Sequence, residues 1–311
     1  MVRAGGVRIG WADIPAPVRL DIEAIIGGGP VVAAASQPGG FSPGTADRVR
    51  TVDGARAFVK AVTPALNEQS AVLARNELRI TAALPEHAAA PRLLGGFDTG
   101  DWVVLVLEDV EGTHPGTPWA AHEIRAAAAT LRGLAEALTP VPVAGLPTAS
   151  EKYGAEFSRW DALAADRPDD LDAWAAAHLD ELRAAADRGV AALAGGGTLA
   201  HTDLRADNIL IRADGSLVLV DWPHACAGPA WLDSVLLAIN VIVHGGDPAP
   251  LLDGVDADVV TGVMAGAAAL FQHRCRQPPP PGLPTVRAFQ RFQGDALLPW
   301  LRTALGEPKR G

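Results

Sequence analysis

Short apolar runs separated by Gly, Pro and Asp turns fill the N-terminal third of the chain, and alanine-rich segments of helical spacing fill most of the rest. After an amphipathic stretch around Ile14 to Ile26, strands are predicted at Val31 to Ala35, Asp47 to Val52 and Ala57 to Val62. The first two are joined through Gln37-Pro38-Gly39-Gly40-Phe41-Ser42-Pro43-Gly44, the last two by an Asp53-Gly54 turn. A helix from about Asn67 to Leu84 follows, stopped by Pro85 and Pro91. Strands Pro91 to Phe97 and Trp102 to Leu107 continue the sheet, and Glu108-Asp109-Val110-Glu111-Gly112 reads as a connector. Helices are then predicted at Ala120 to Leu138, Ala155 to Ala165, Leu171 to Leu193, Leu232 to Val243, Val255 to Cys275 and Thr285 to Leu305. Strands first and helices later predict an α+β fold with a small antiparallel-sheet lobe and a larger helical lobe. No internal repeat is present.

One β segment interrupts the helices. The strand Gly197 to Ala200 runs into His201-Thr202-Asp203-Leu204-Arg205-Ala206-Asp207-Asn208. Apolar strands Asn208 to Ile211 and Leu217 to Val220 are then turned by Arg212-Ala213-Asp214-Gly215-Ser216, where Asp-Gly is a strong hairpin signal. Such a hairpin brings Asn208 beside Asp221, thirteen residues later. Oxygen donors at one hairpin mouth suit a hard cation such as Mg²⁺, which keeps phosphate oxygens and water among its ligands. Asp203 is left to accept a proton. Each residue alone would read as a turn or cap former; H-x-D-L-x-x-x-N, a hairpin of this length and a terminal Asp together point to chemistry.

Composition narrows the field. At 311 residues with 49% hydrophobic and 20% charged residues the chain can build a sizeable core. It shows neither an apolar span of about twenty residues nor a signal-peptide centre, so no membrane contact and a cytoplasmic location are expected. Cys226 and Cys275 are too few for a disulfide framework. A net charge of −10 disfavours nucleic acid and suits a cationic small substrate. Of 26 basic residues only Lys60, Lys152 and Lys309 are lysines, which makes each of them informative.

Lys60 lies among apolar neighbours in its strand, where a buried ammonium needs a partner. Glu77, seventeen residues on in the following helix, is the expected one. Glycines in Gly39 to Gly44 let backbone N–H groups approach phosphate. The order G-G-F-S-P-G has the Walker A glycine spacing, but Thr45 follows instead of lysine, which argues against a P-loop NTPase.

Taken in order, these features resemble the aminoglycoside phosphotransferase-like family of the kinase-like superfamily, from about Val31 to Leu305. Gly228-Pro229-Ala230-Trp231-Leu232-Asp233 resembles that family's G-P-x-x-x-D segment. The resemblance implies a bilobal protein-kinase-like fold, with a nucleotide-binding lobe at 1–110 and a helical lobe at 111–311 carrying the hairpin and an acceptor pocket. ATP or GTP would lie in the cleft. Gly39, Gly40, Phe41 and Ser42 would sit over the phosphates, Lys60, paired with Glu77, on the α- and β-phosphates, and the connector at Glu108 and Val110 on the base. Asn208 and Asp221 would bind Mg²⁺ and Asp203 would be the catalytic base, with His201 and Asp233 orienting the loop. Thr202 departs from the glycine more common there. Asp221 is followed by Trp222-Pro223, and no A-P-E segment follows, so a phosphorylation-ordered activation loop is not expected.

The implied function is transfer of the γ-phosphoryl of Mg-ATP or Mg-GTP to a hydroxyl of a small molecule. The acceptor stays open between an aminoglycoside or related antibiotic, with a role in resistance, and an amino sugar or other metabolite. A nucleotide-binding module without transfer activity is the alternative from another class. Residues 151–190 carry ten acidic and five basic side chains, placed either to bind a cationic acceptor or on wet helix faces, the latter favoured. Oligomeric state is left open.

Overall fold

The computed structural model describes residues 9–37, 43–280 and 283–306. Its strands are β1 (Val31–Ser36), β2 (Asp47–Thr51), β3 (Arg56–Val62), β4 (Leu93–Asp98), β5 (Val103–Leu107), β6 (Thr198–Ala200), β7 (Ile209–Ile211), β8 (Leu217–Leu219) and β9 (Cys226–Gly228). Its helices are α1 (Ala16–Ile26), α2 (Glu68–Thr81), α3 (Ala121–Ala137), α4 (Ala149–Phe157), α5 (Trp160–Ala165), α6 (Ala173–Ala177), α7 (Leu179–Ala192), α8 (Leu232–Val243), α9 (Ala249–Leu252), α10 (Ala257–Arg274) and α11 (Val286–Ala304). Among the described residues none of these helices is long and apolar enough to cross a membrane. The fold is the expected α+β arrangement of an antiparallel sheet unit and a helical unit.

The first unit comprises the described residues up to His114 together with Asp207–His224. Its sheet has the antiparallel order β1-β2-β3-β5-β4. Helix α1 and the turn before it cover one face: Ile22 and Ile14 pack with Val49, Ala57, Val59, Val104 and Val106. Helix α2 covers the other, packing Ala71 and Ala74 against Val62, Val103, Leu105 and Leu107. Burial on both faces is why β5 reads Val-Val-Leu-Val-Leu without alternation. Asn67 caps α2 by accepting from Ser70 N at 2.7 Å.

The β7–β8 hairpin forms in the predicted register, Ile209 opposite Leu219 and Ile211 opposite Leu217. Its turn closes through Arg212 N to Ser216 O, with Gly215 at φ 84°. The sequence boundary near residue 110 leaves this hairpin with the helices. By packing it counts with the sheet unit, because Ile211 pairs with Thr113 through two backbone hydrogen bonds and Leu219 N donates to Ala89 O.

The second unit comprises residues 115–206 and 225–306 of those described. Helix α10 is buried along most of its length, and α7 crosses it at a glycine pair: a Cβ on Gly189 would lie 2.3 Å from the carbonyl carbon of Gly262. Trp160 Nε1 donates to Ala265 O at 2.9 Å, tying α5 to the same helix. Two predicted helices are each broken. Ser158 and Arg159 separate α4 from α5, and His178, its Nδ1 2.8 Å from Trp174 O, separates α6 from α7. Strand β6 pairs with β9, a three-residue strand that the sequence reading leaves unassigned.

Candidate active site

In the first unit Lys60, Glu77 and Asp221 meet. Lys60 projects from β3 on the α2 face, and its Nζ donates to Glu77 Oε1 at 2.7 Å and to Asp221 Oδ1 at 2.8 Å. Glu77 is buried in α2, while the Asp221 side chain is 41% exposed. Glu77 Oε1 also accepts from Trp222 N at 3.4 Å, so α2 holds the segment after the hairpin as well as the lysine. Burial would lower the Lys60 pKa, but the Asp221 and Glu77 carboxylates outweigh it and the net shift is upward. Glu77 is shifted upward chiefly by its own burial, against the pull of Lys60. The lysine of this site is a fixed cation.

Asn208 ends a short 3-10 turn, with its strand starting one residue later than the sequence reading has it. Its carbonyl accepts from Val220 N at 3.0 Å, which places Asn208 opposite the residue before Asp221. Asp221 has φ 71°, a left-handed conformation that Asp tolerates better than most residues. Each side chain offers an oxygen donor, the type suited to Mg²⁺ with phosphate oxygens completing its shell. Among the described residues no group of three His, Cys, Asp or Glu side chains is arranged to hold a metal ion.

The connector is clasped by arginines the sequence reading does not single out. Asp109 pairs with Arg48 and Arg56, and Glu108 pairs with Arg212 at 2.7 Å. Arg48 Nη2 also donates to the Val110 carbonyl at 3.3 Å. Gly39, Gly40, Phe41 and Ser42 lie outside the described residues.

Asp203 belongs to the second unit. Its carboxylate accepts from Arg205 Nη1 at 2.6 Å, and Arg205 lies 5.9 Å from the centroid of the Phe289 ring. Its backbone N donates to Nδ1 of the fully buried His201 at 3.3 Å. Asp233, at the start of α8, accepts from His201 N and Thr202 N, each at 2.8 Å, and so fixes the loop from below. Burial pushes the Asp233 pKa up, against the opposing effect of His201 and the two N–H donors. Lys152 and Tyr153 of α4 also reach this loop; the scarcity of lysine was the sequence signal for the first. Acids of 151–190 are widely engaged elsewhere. Glu151 and Asp172 cap helices, while Glu156, Asp161 and Asp170 pair with arginines.

A model of the phosphotransferase enzyme family matches residues 39–304. The chain belongs to the phosphotransferase enzyme family. No curated protein matches its sequence. Among solved structures it is similar to a spectinomycin phosphotransferase in complex with ADP and spectinomycin (12% identity, TM-score 0.58, 94% of this chain and 98% of that one). It is also similar to the GDP and kanamycin complex of APH(2″)-IIia (15% identity, TM-score 0.63, 94% and 99%). A choline kinase from Streptococcus pneumoniae is a third (14% identity, TM-score 0.56, 90% and 97%). At these identities the likeness is one of fold, and the fold is that of the kinase-like phosphotransferases.

Proposed function

We propose that the protein transfers the γ-phosphoryl group of ATP or GTP to a hydroxyl of a small molecule. The observation that carries the reading is the Lys60–Glu77–Asp221 cluster: a part-buried, permanently charged lysine held between a helix carboxylate and the aspartate that ends the hairpin. Family membership supports the reaction class, and similarity to structures with ADP or with GDP leaves both nucleotides as donors.

On this reading the first unit binds nucleotide. Lys60 neutralises the α- and β-phosphates, and Glu77 keeps its ammonium aimed. The Glu108–Val110 connector holds the base, its position set by Arg48, Arg56 and Arg212. Asn208 and Asp221 would hold Mg²⁺, which supplies charge neutralisation on the phosphate oxygens. The second unit supplies the base. The acceptor oxygen bonds to the γ-phosphorus, the bond from phosphorus to the β,γ-bridging oxygen breaks, the nucleoside diphosphate leaves, and Asp203 takes the hydroxyl proton. Arg205, on the same carboxylate, keeps that oxygen oriented until the acceptor arrives. The acceptor is an antibiotic or metabolite alcohol.

The test is mass spectrometry of aminoglycosides, other hydroxylated antibiotics, amino sugars and choline after incubation with the protein, Mg²⁺ and ATP or GTP. A product heavier by one phosphoryl group, lost in Asp203→Asn, is expected. The variant should turn over at least about 10²-fold more slowly while binding nucleotide as before, the loss typical of removing a general base. Absence of nucleotide binding by the wild type would remove the reading.

A further inference from the structure

Lys152 is one of three lysines in the chain, and the reaction above does not use it. It stands in the first turn of α4, and its Nζ donates to Thr202 Oγ1 at 2.6 Å. The next residue, Tyr153, donates its hydroxyl to the Thr202 carbonyl at 3.2 Å. Asp233 takes the Thr202 N–H. One residue is thus held by its side chain, its carbonyl and its amide, from two helices.

Thr202 calls for such a hold. Its φ is 64°, and among the described residues only Asp221 shares a positive φ without being glycine. Asp visits this region readily, but a β-branched residue there is a genuine outlier that persists only when its surroundings over-determine it. Thr202 immediately precedes Asp203, so its backbone angle sets where the Asp203 side chain starts. Relaxing it to negative φ would break the Asp203 N to His201 Nδ1 bond and turn the carboxylate away from Arg205.

We propose that Lys152 and Thr202 form a latch that holds the loop in its left-handed turn and thereby positions Asp203. The role of Asp203 as base rests on the phosphotransferase reading; the latch itself does not. Lys152 also brings a cation into electrostatic reach of Asp203, Asp233 and Cys226.

The test is a double-mutant cycle on the full chain, read by amide hydrogen exchange at residues 201–206. Lys152→Met is expected to speed exchange there about tenfold or more in the Thr202 background. In the Thr202→Gly background the same substitution should change it by less than about twofold, since glycine holds positive φ unaided. Unchanged exchange in Lys152→Met, or equal acceleration in both backgrounds, would overturn the latch. Should Lys152→Met fail to fold, Thr202→Val, which keeps the shape and removes the acceptor oxygen, must give the same acceleration, and unchanged exchange there refutes the proposal. With nucleotide consumption as readout, Lys152→Met should lower kcat about tenfold with nucleotide KM within about twofold, and Thr202→Gly should abolish that difference. A structural lysine would move stability without that split. Lack of nucleotide binding by the wild type would count against the phosphotransferase reading and leave the exchange result standing.

Discussion

Two part-buried lysines show how the same side chain is pushed in opposite directions. Lys60 hydrogen-bonds two carboxylates, and their attraction exceeds the cost of its burial. Lys152 bonds a neutral hydroxyl, so burial dominates and lowers its pKa despite Cys226, Asp203 and Asp233 nearby. A lysine whose folded pKa lies below its unfolded value binds fewer protons folded than unfolded between the two. Its contribution to stability is therefore present above the ordinary lysine value near 10.5 and is lost as pH falls through the folded value. The expected outcome is that the melting temperature of the wild type gains on that of Lys152→Met as pH rises from neutrality toward 10.5. Parallel melting curves across that range would contradict it. Tyr153 is pushed up beyond the window, and Cys226, pushed up to about 11 by burial, is present in both proteins and largely cancels. The Lys60–Glu77 pair was legible from spacing, because the strand and the helix after it are neighbours. The partner of Lys152 was not, because it lies fifty residues away on a loop whose backbone angle no periodicity encodes.

At the scale of elements, legibility followed local signals. Asp214-Gly215 between apolar runs specified the hairpin, and Asn67 and Pro85 bracketed α2. The breaks at Ser158–Arg159 and at His178 carry no Pro or Gly, so the alanine-rich runs concealed them. Strand β9 is three residues long and gains its identity only from pairing with β6. The α7–α10 crossing was equally hidden, since two glycines far apart in sequence announce a contact only once the helices meet. Main chain there leaves no room for a methyl group: a Cβ on Gly189 would meet the Gly262 carbonyl carbon, and one on Gly262 would lie 2.5 Å from Gly189 N. Gly189→Ala, ordinarily favourable within a helix, is instead expected to cost about 2 kcal/mol through forced backbone separation. Urea unfolding checks this, and an unchanged midpoint would mean that α7 shifts without cost.

Across the whole molecule, the motif residues divide between the two packed units: Lys60, Glu77, Asn208 and Asp221 in the first, His201, Asp203 and Asp233 in the second. The H-x-D-L-x-x-x-N run spans the passage from one unit to the other, which a contiguous boundary near residue 110 cannot express. This division separates two ligand effects. If nucleotide and metal act on residues of the first unit, as proposed, stabilisation by Mg-nucleotide should survive loss of the proposed base in Asp203→Asn. Asp221→Asn removes the carboxylate proposed to bind Mg²⁺ and also one carboxylate partner of Lys60. At about one hundred times its Kd a ligand specific to the folded state adds about 2.7 kcal/mol, enough to raise the melting temperature by several degrees. Thermal melts of the wild type with ATP should therefore show an increment when EDTA is replaced by Mg²⁺. That increment should persist in Asp203→Asn and vanish in Asp221→Asn, measured against each variant's own melt without nucleotide. An increment of equal size in Asp221→Asn would move the metal to other ligands, whereas its loss in both variants would tie Asp203 to nucleotide binding in place of proton transfer.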